Sequence, residues 1–211
     1  RTTLNLQIGA YQDESKRWGG SSWVSGDNLS VGYWSGAETH HISNRFTSIT
    51  IPAGATIDTA VATFNARYTQ SGAPVNTNIN CEDQDDPARV SSYSDFDGRT
   101  LTTAFSAWDS VPTFSSGSWY ASPDITSTVQ EYSDRAGRAS GNALQFFWKN
   151  DGSGTTSIRY STSYGFSSSR AAKLDIDYTA AATNWGVSRA AGQGGLAGSG
   201  GLAGKGGGLA S

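Results

Sequence analysis

Residues 75–82 read VNTNINCE, and this stretch decides the fold class. Val75, Thr77, Ile79 and Cys81 alternate with Asn76, Asn78, Asn80 and Glu82. Successive side chains of a strand point to opposite faces, so a period of two sets an apolar row against a wet one. The same pattern recurs in both directions. Leu4, Leu6 and Ile8 oppose Asn5 and Gln7, and Leu29, Val31 and Tyr33 repeat it. In 60–68, Ala60, Ala62, Phe64, Ala66 and Tyr68 face one way, with Thr63, Asn65 and Arg67 on the other side. Leu144, Phe146 and Trp148 form another inward row. Leu174, Ile176 and Tyr178 do so against Lys173, Asp175 and Asp177.

Strands with one apolar and one wet face belong to antiparallel sheets packed in two layers. Turn residues separate them at Pro52-Ala53-Gly54, Ser71-Gly72-Ala73-Pro74 and Asp151-Gly152-Ser153-Gly154. The expectation is an all-β, antiparallel two-sheet sandwich over 1–179, followed by a glycine-rich tail over 180–211. One helix is expected over Asp124–Asp134, where Ile125, Val129 and Tyr132 share a face. Ser127 and Gln130 have capping-box spacing there. The polar stretch from Glu82 to Trp108 reads as a long loop with a short strand near Leu101.

Composition narrows the function. About 180 patterned residues can bury a core without disulfides, and the single Cys81 cannot form an internal one. A net charge of −3 argues against a nucleic-acid partner, which calls for clustered Lys and Arg. No apolar run approaches the ~20 residues of a membrane-spanning helix. The chain holds no methionine and starts at Arg1. That suggests cleavage from a signal peptide or precursor, or a sequence that begins inside a longer chain.

Several phrases, in order, resemble the DNRLRE and alginate-binding-module class of jelly-roll domains, and related sandwiches of phage structural proteins. They are Phe46 with Ile51-Pro52-Ala53-Gly54-Ala55-Thr56-Ile57 running into Ala60–Tyr68, then Trp119-Tyr120-Ala121-Ser122-Pro123-Asp124-Ile125-Thr126-Ser127, and the closing Ala172-Lys173-Leu174-Asp175-Ile176-Asp177-Tyr178. The last has alanine where that class usually has proline. The resemblance implies a jelly-roll sandwich with a binding or structural role rather than catalysis.

Candidate chemistry is sparse. His40 and His41 are the only histidines. As neighbours on a strand they point to opposite faces, and they read as ordinary surface or edge residues. No hydrolase, metalloprotease or P-loop motif is present. Cys81 reads as a buried, inert thiol. Asn28-Leu29-Ser30 fits a glycosylation sequon that a chain this polar produces by chance. Asp83, Asp85 and Asp86 are the candidate calcium ligands, with Asp95 and Asp97 near in the same loop; hard cations take several oxygens at ~2.3–2.6 Å. Trp18, Trp23 and Trp34 are the candidate glycan-stacking residues, since an aromatic face attracts the C–H groups of a sugar. Trp108, Trp119 and Trp148 read as structural.

Eleven of the last 26 residues are glycine, in three Gly-Leu-Ala units. Such a chain cannot bury enough of its own surface to offset ~1–2 kcal/mol of backbone entropy per residue. By itself it is a flexible linker; neighbouring chains are the other source of burial. Leu196 and Leu202, each preceded by Gly195 or Gly201, share a face of a polyproline-II helix or of a strand; Leu209 breaks the threefold register. The expectation is a non-enzymatic, extracellular or virion-surface protein whose tails associate, with itself or other virion or filament subunits as partners. A carbohydrate-binding module with a surface glycan as partner is the alternative, and a lyase or glycosidase the third reading.

Overall fold

The computed structural model describes residues 1–26, 28–36 and 38–182. Gly195, Leu196, Gly201, Leu202 and Leu209 lie outside the described residues. Twelve strands are described: β1 Thr2–Gln7, β2 Glu14–Trp18, β3 Ser22–Ser25, β4 Ser30–Tyr33, β5 Thr39–Phe46, β6 Thr56–Asn65, β7 Val75–Cys81, β8 Ser106–Val111, β9 Trp119–Ala121, β10 Leu144–Asn150, β11 Ser157–Tyr160 and β12 Lys173–Thr179. Two helices accompany them, the one-turn α1 Tyr93–Asp97 and α2 Thr126–Ser133.

The strands form two antiparallel sheets. One runs β1-β12-β6-β9; the other runs β11-β4-β5-β10-β7-β8, with β2 joining β5 and β3. The all-β sandwich expected from alternation is the architecture observed. Val75, Thr77, Ile79 and Cys81 are fully buried, as are Ala60, Ala62, Phe64, Leu174 and Ile176. Tyr68 departs from the expected row. β6 ends at Asn65, and the Tyr68 ring lies on the surface.

Phe64 of the first sheet meets the second at its centre. Its ring stacks 4.3 Å from Trp148, which stacks 4.9 Å from Trp108. Burying an indole strands its N–H unless a partner is supplied. Here Trp148 Nε1 donates to Thr77 Oγ1 at 2.7 Å, and that hydroxyl donates to the Trp108 carbonyl at 3.1 Å. Thr77, on the apolar face of β7, therefore has a polar duty inside the core.

β5 escapes the alternation rule. THHISNRF holds four buried polar residues on both faces, His40, His41, Ser43 and Asn44. It is nevertheless the hub of its sheet, pairing with β10, β2 and β4. Close approach of β11 to β4 requires Gly32, whose φ is +120° and where a Cβ would collide with the Ser157 carbonyl.

α2 sits within the span expected for it and buries Val129 and Tyr132, with Ile125 just before it. It ties both sheets together. Ile125 N donates to Ala60 O of β6 at 2.9 Å, and Cys81 N of β7 donates to Thr128 Oγ1 at 2.7 Å. The Ser127/Gln130 capping box is not formed. Asp124 Oδ1 instead accepts from Thr126 N at 2.8 Å, while Gln130 accepts from Ile57 N at 2.7 Å. The Leu101 strand reduces to a single bridge with Glu82.

Trp148→Ala should cost about 3–5 kcal/mol in urea unfolding, because it removes the central plate of the stack and the indole N–H that donates to Thr77. Phe105→Ala, on the exposed surface, should stay within about 0.5 kcal/mol. Equal losses for the two would refute this account of the core.

Candidate functional surface

The stretch between β7 and β8 has little apolar content of its own, yet it covers the outer face of β10. Phe147 points outward from that strand and is buried by Val90 and Phe96, with Trp23 and Leu101 against them. Ion pairs fasten this cover. Arg99 bridges Glu82 and Asp95, each at 2.8 Å, and Arg17 of β2 holds Asp97 at 2.9 Å. Arg45 and Arg89 converge on buried Asp13 at 3.0 and 2.9 Å. The Arg99 guanidinium holds the Asp95 carboxyl below the usual carboxylate range. Burial raises Glu82 despite the same cation.

The candidate calcium ligands belong to this fastening. Arg135 pairs with Asp83 and, at 2.7 Å, with Asp85. Gly137 lies so near Asp85 that a Cβ there would collide with its carboxylate. Asp86 Oδ1 accepts from Ala143 N at 2.8 Å. Among the described residues, no three His, Cys, Asp or Glu side chains group as metal ligands. Asp83 and Asp85 are thus held by one guanidinium and Asp86 by the backbone, which alternation cannot reveal because Arg135 lies 50 and 52 residues from its two partners.

His40 and His41 point to opposite faces, but they are not surface or edge residues: both are buried. His40 Nδ1 pairs with Ser30 Oγ at 2.8 Å, and His41 Nδ1 accepts from Asn150 N at 3.1 Å. The cause is the position of β5 in mid-sheet. Burial lowers His40 to about 4 and His41 to about 3. Cys81 is fully buried, and burial pushes its thiol to about 12, so it is protonated at neutral pH. Glu14, on β2, is also buried; burial raises its carboxyl to about 8, even though it accepts from Tyr164 N at 2.6 Å.

The three tryptophans separate. Trp18 ends β2 and is half-buried, with Lys16 Nζ 4.4 Å from its ring centre. Trp34 is exposed, in the turn after β4. Gly19 N donates to Thr39 O and Trp34 N to Glu38 O, so the turns carrying Trp18 and Trp34 share one end of the sandwich. Trp23 instead packs on the Phe147 cluster. Trp119, read as structural, has an exposed face, with Lys173 Nζ 4.3 Å from its ring.

Alternation also missed a second aromatic group. The Arg67 guanidinium lies 4.1 Å from the Phe166 ring and 5.2 Å from Tyr68, and Tyr160 meets Tyr68 edge-on at 5.4 Å. Phe166 is 58% exposed and Tyr68 44%. The sequence signal was the Arg67-Tyr68 pair; Phe166 is brought to it only by the fold. Among the described residues no pocket forms. Compared with known proteins, the chain matches no family model and no curated protein.

The buried titratable groups set a pH optimum for stability. Glu14 folds protonated, so its contribution is complete below the ordinary carboxylate pKa and is lost as pH rises through about 8. His40 and His41 fold neutral, so theirs is complete above the ordinary imidazole value and is lost as pH falls through about 4 and 3. The opposed windows place maximum stability at about pH 6–7. Unfolding free energies between pH 5 and 8.5 should fall on both sides, and Glu14→Gln should flatten the alkaline limb. A monotonic rise to pH 8.5 would contradict the Glu14 assignment.

Proposed function

We propose that this chain is a non-catalytic structural protein that self-assembles, as a virion component (capsid decoration, tail or fibre) or as a subunit of an extracellular filament. The observation that carries this reading is where the reactive groups lie. The loop carboxylates are bound to arginines or backbone, both imidazoles and the thiol are buried, and the described residues form no pocket. Catalysis needs a nucleophile, acid or base converging on a space a substrate can enter. What the described residues offer outward is a set of sheet faces and edges, and the sequence adds Gly-Leu-Ala units of a composition suited to burial against other copies.

A second reading, carbohydrate binding, is supported by the exposed rings of Trp34, Tyr68 and Phe166. Aromatic faces of this kind stack on pyranose rings. In that case Trp34→Ala or Phe166→Ala would abolish binding on a glycan array without changing native mass.

Light scattering on the full chain separates the two. Self-assembly predicts masses at multiples of 22.1 kDa, and a lower order of assembly when the chain is ended after Ala181. A full chain that stays monomeric up to millimolar concentration overturns the structural reading and leaves the glycan reading to be tested.

A further inference from the structure

Among the described residues, β1 is an edge strand with β12 as its ladder partner, and its outer side is unpaired. Other ends of the ladders are short or irregular. β9 has three residues, β3 and β11 have four, and the β7–β8 ladder shifts register between Val75 and Thr77. β1 runs six residues in unbroken register from Thr2↔Tyr178 to Gln7↔Lys173. Natural sheets blunt exposed edges with proline, charge, a bulge or a covering segment. TTLNLQ contains neither proline nor charge.

The direction of its free groups follows from the ladder. Ile8 N donates to Ala172 O at 3.1 Å, in the same register as β1. By period two, the N–H and C=O groups of Leu4 and Leu6 also face β12, and those of Thr3, Asn5 and Gln7 face outward. We infer that this outer edge pairs antiparallel with the β1 of a second copy about a twofold axis, Asn5 opposing Asn5 and Thr3 opposing Gln7. The inference rests on the self-assembly reading and assigns it a surface.

Two observations favour that occupant. The register is self-complementary, with three outward residues meeting three and roughly six backbone hydrogen bonds formed. Leu4 and Leu6 are only half-buried and pack at the margin of the core. In this register Leu4 of one copy faces Leu6 of the other at a close, non-hydrogen-bonded position, so each covers the other's open side.

Sedimentation velocity on the full chain tests this with Asn5→Lys, Asn5→Asp and Asn5→Pro. Asn5 is exposed, and an outward N–H is one an edge strand can lose to proline, so Asn5→Lys and Asn5→Pro should keep the wild-type melting behaviour, while Asn5→Asp, opposite Asp175 of β12, should melt slightly below it. Lys and Asp each place like charges opposite one another and should weaken association by about fivefold. An equimolar mixture of the two should restore it. Proline removes donors from both copies and should weaken association by more than about tenfold. If the wild type associates and all three variants match it, the β1 assignment falls while self-assembly stands. If the charged variants dissociate but do not recombine when mixed, the edge pairs with another segment, the glycine-rich tail included, and the β1–β1 pairing is wrong. A wild type that never associates removes this inference together with the reading beneath it.

Discussion

The contact of Phe64 with Trp148 is the constraint on which the two-sheet arrangement rests. Phe64 is the last inward apolar residue of β6, and Trp148 the last of the inward row of β10. Stacking at 4.3 Å fixes the separation of the layers locally, and Trp108 extends the plate across β7. The indole also dictates Thr77, because its buried N–H requires an acceptor where the surrounding pattern supplies only carbon. Phe46 and Phe146 continue the aromatic layer at 5.7 Å. The remaining strands bury smaller residues around this centre, which is why Ala60 and Ala62 suit the inward row of β6.

A second constraint is the two-sided burial of β10. Phe147 on its outer face would be left in water if the sandwich had only two layers. The polar stretch after β7 covers it with Val90 and Phe96, too little apolar surface to hold some twenty residues in place. Arginines from β2, β5 and the segment after α2 complete the attachment through Asp97, Asp13, Asp83 and Asp85. Partly exposed pairs of this kind contribute little singly, and more as a network. The same carboxylates looked like ligand donors in sequence, since a run of acids reads alike whether a cation or a guanidinium meets it.

These two constraints bear directly on function. Among the described residues, His40, His41 and Cys81 are drawn inward, and the carboxylates of Glu82, Asp83, Asp85, Asp86, Asp95 and Asp97 are held by arginines or backbone. The outer edge of β1 and the Arg67–Phe166 group lie instead on the surface of the sandwich.

Alternation by itself determined much of the core. The rows at 75–81, 144–148 and 174–178 are buried as read, and the apolar stripe of 125–132 is a helix, because a period of two or of 3.6 is a property of adjacent residues. β5 was not legible. Its histidines, serine and asparagine look like a surface segment, and only three neighbouring strands make them interior. The fate of Asp83 and Asp85 was decided by Arg135, some fifty residues away, and the packing of Trp23 by Phe147. Local pattern tells which side of a strand avoids water; long-range pairing alone tells which polar groups find a partner once water is gone.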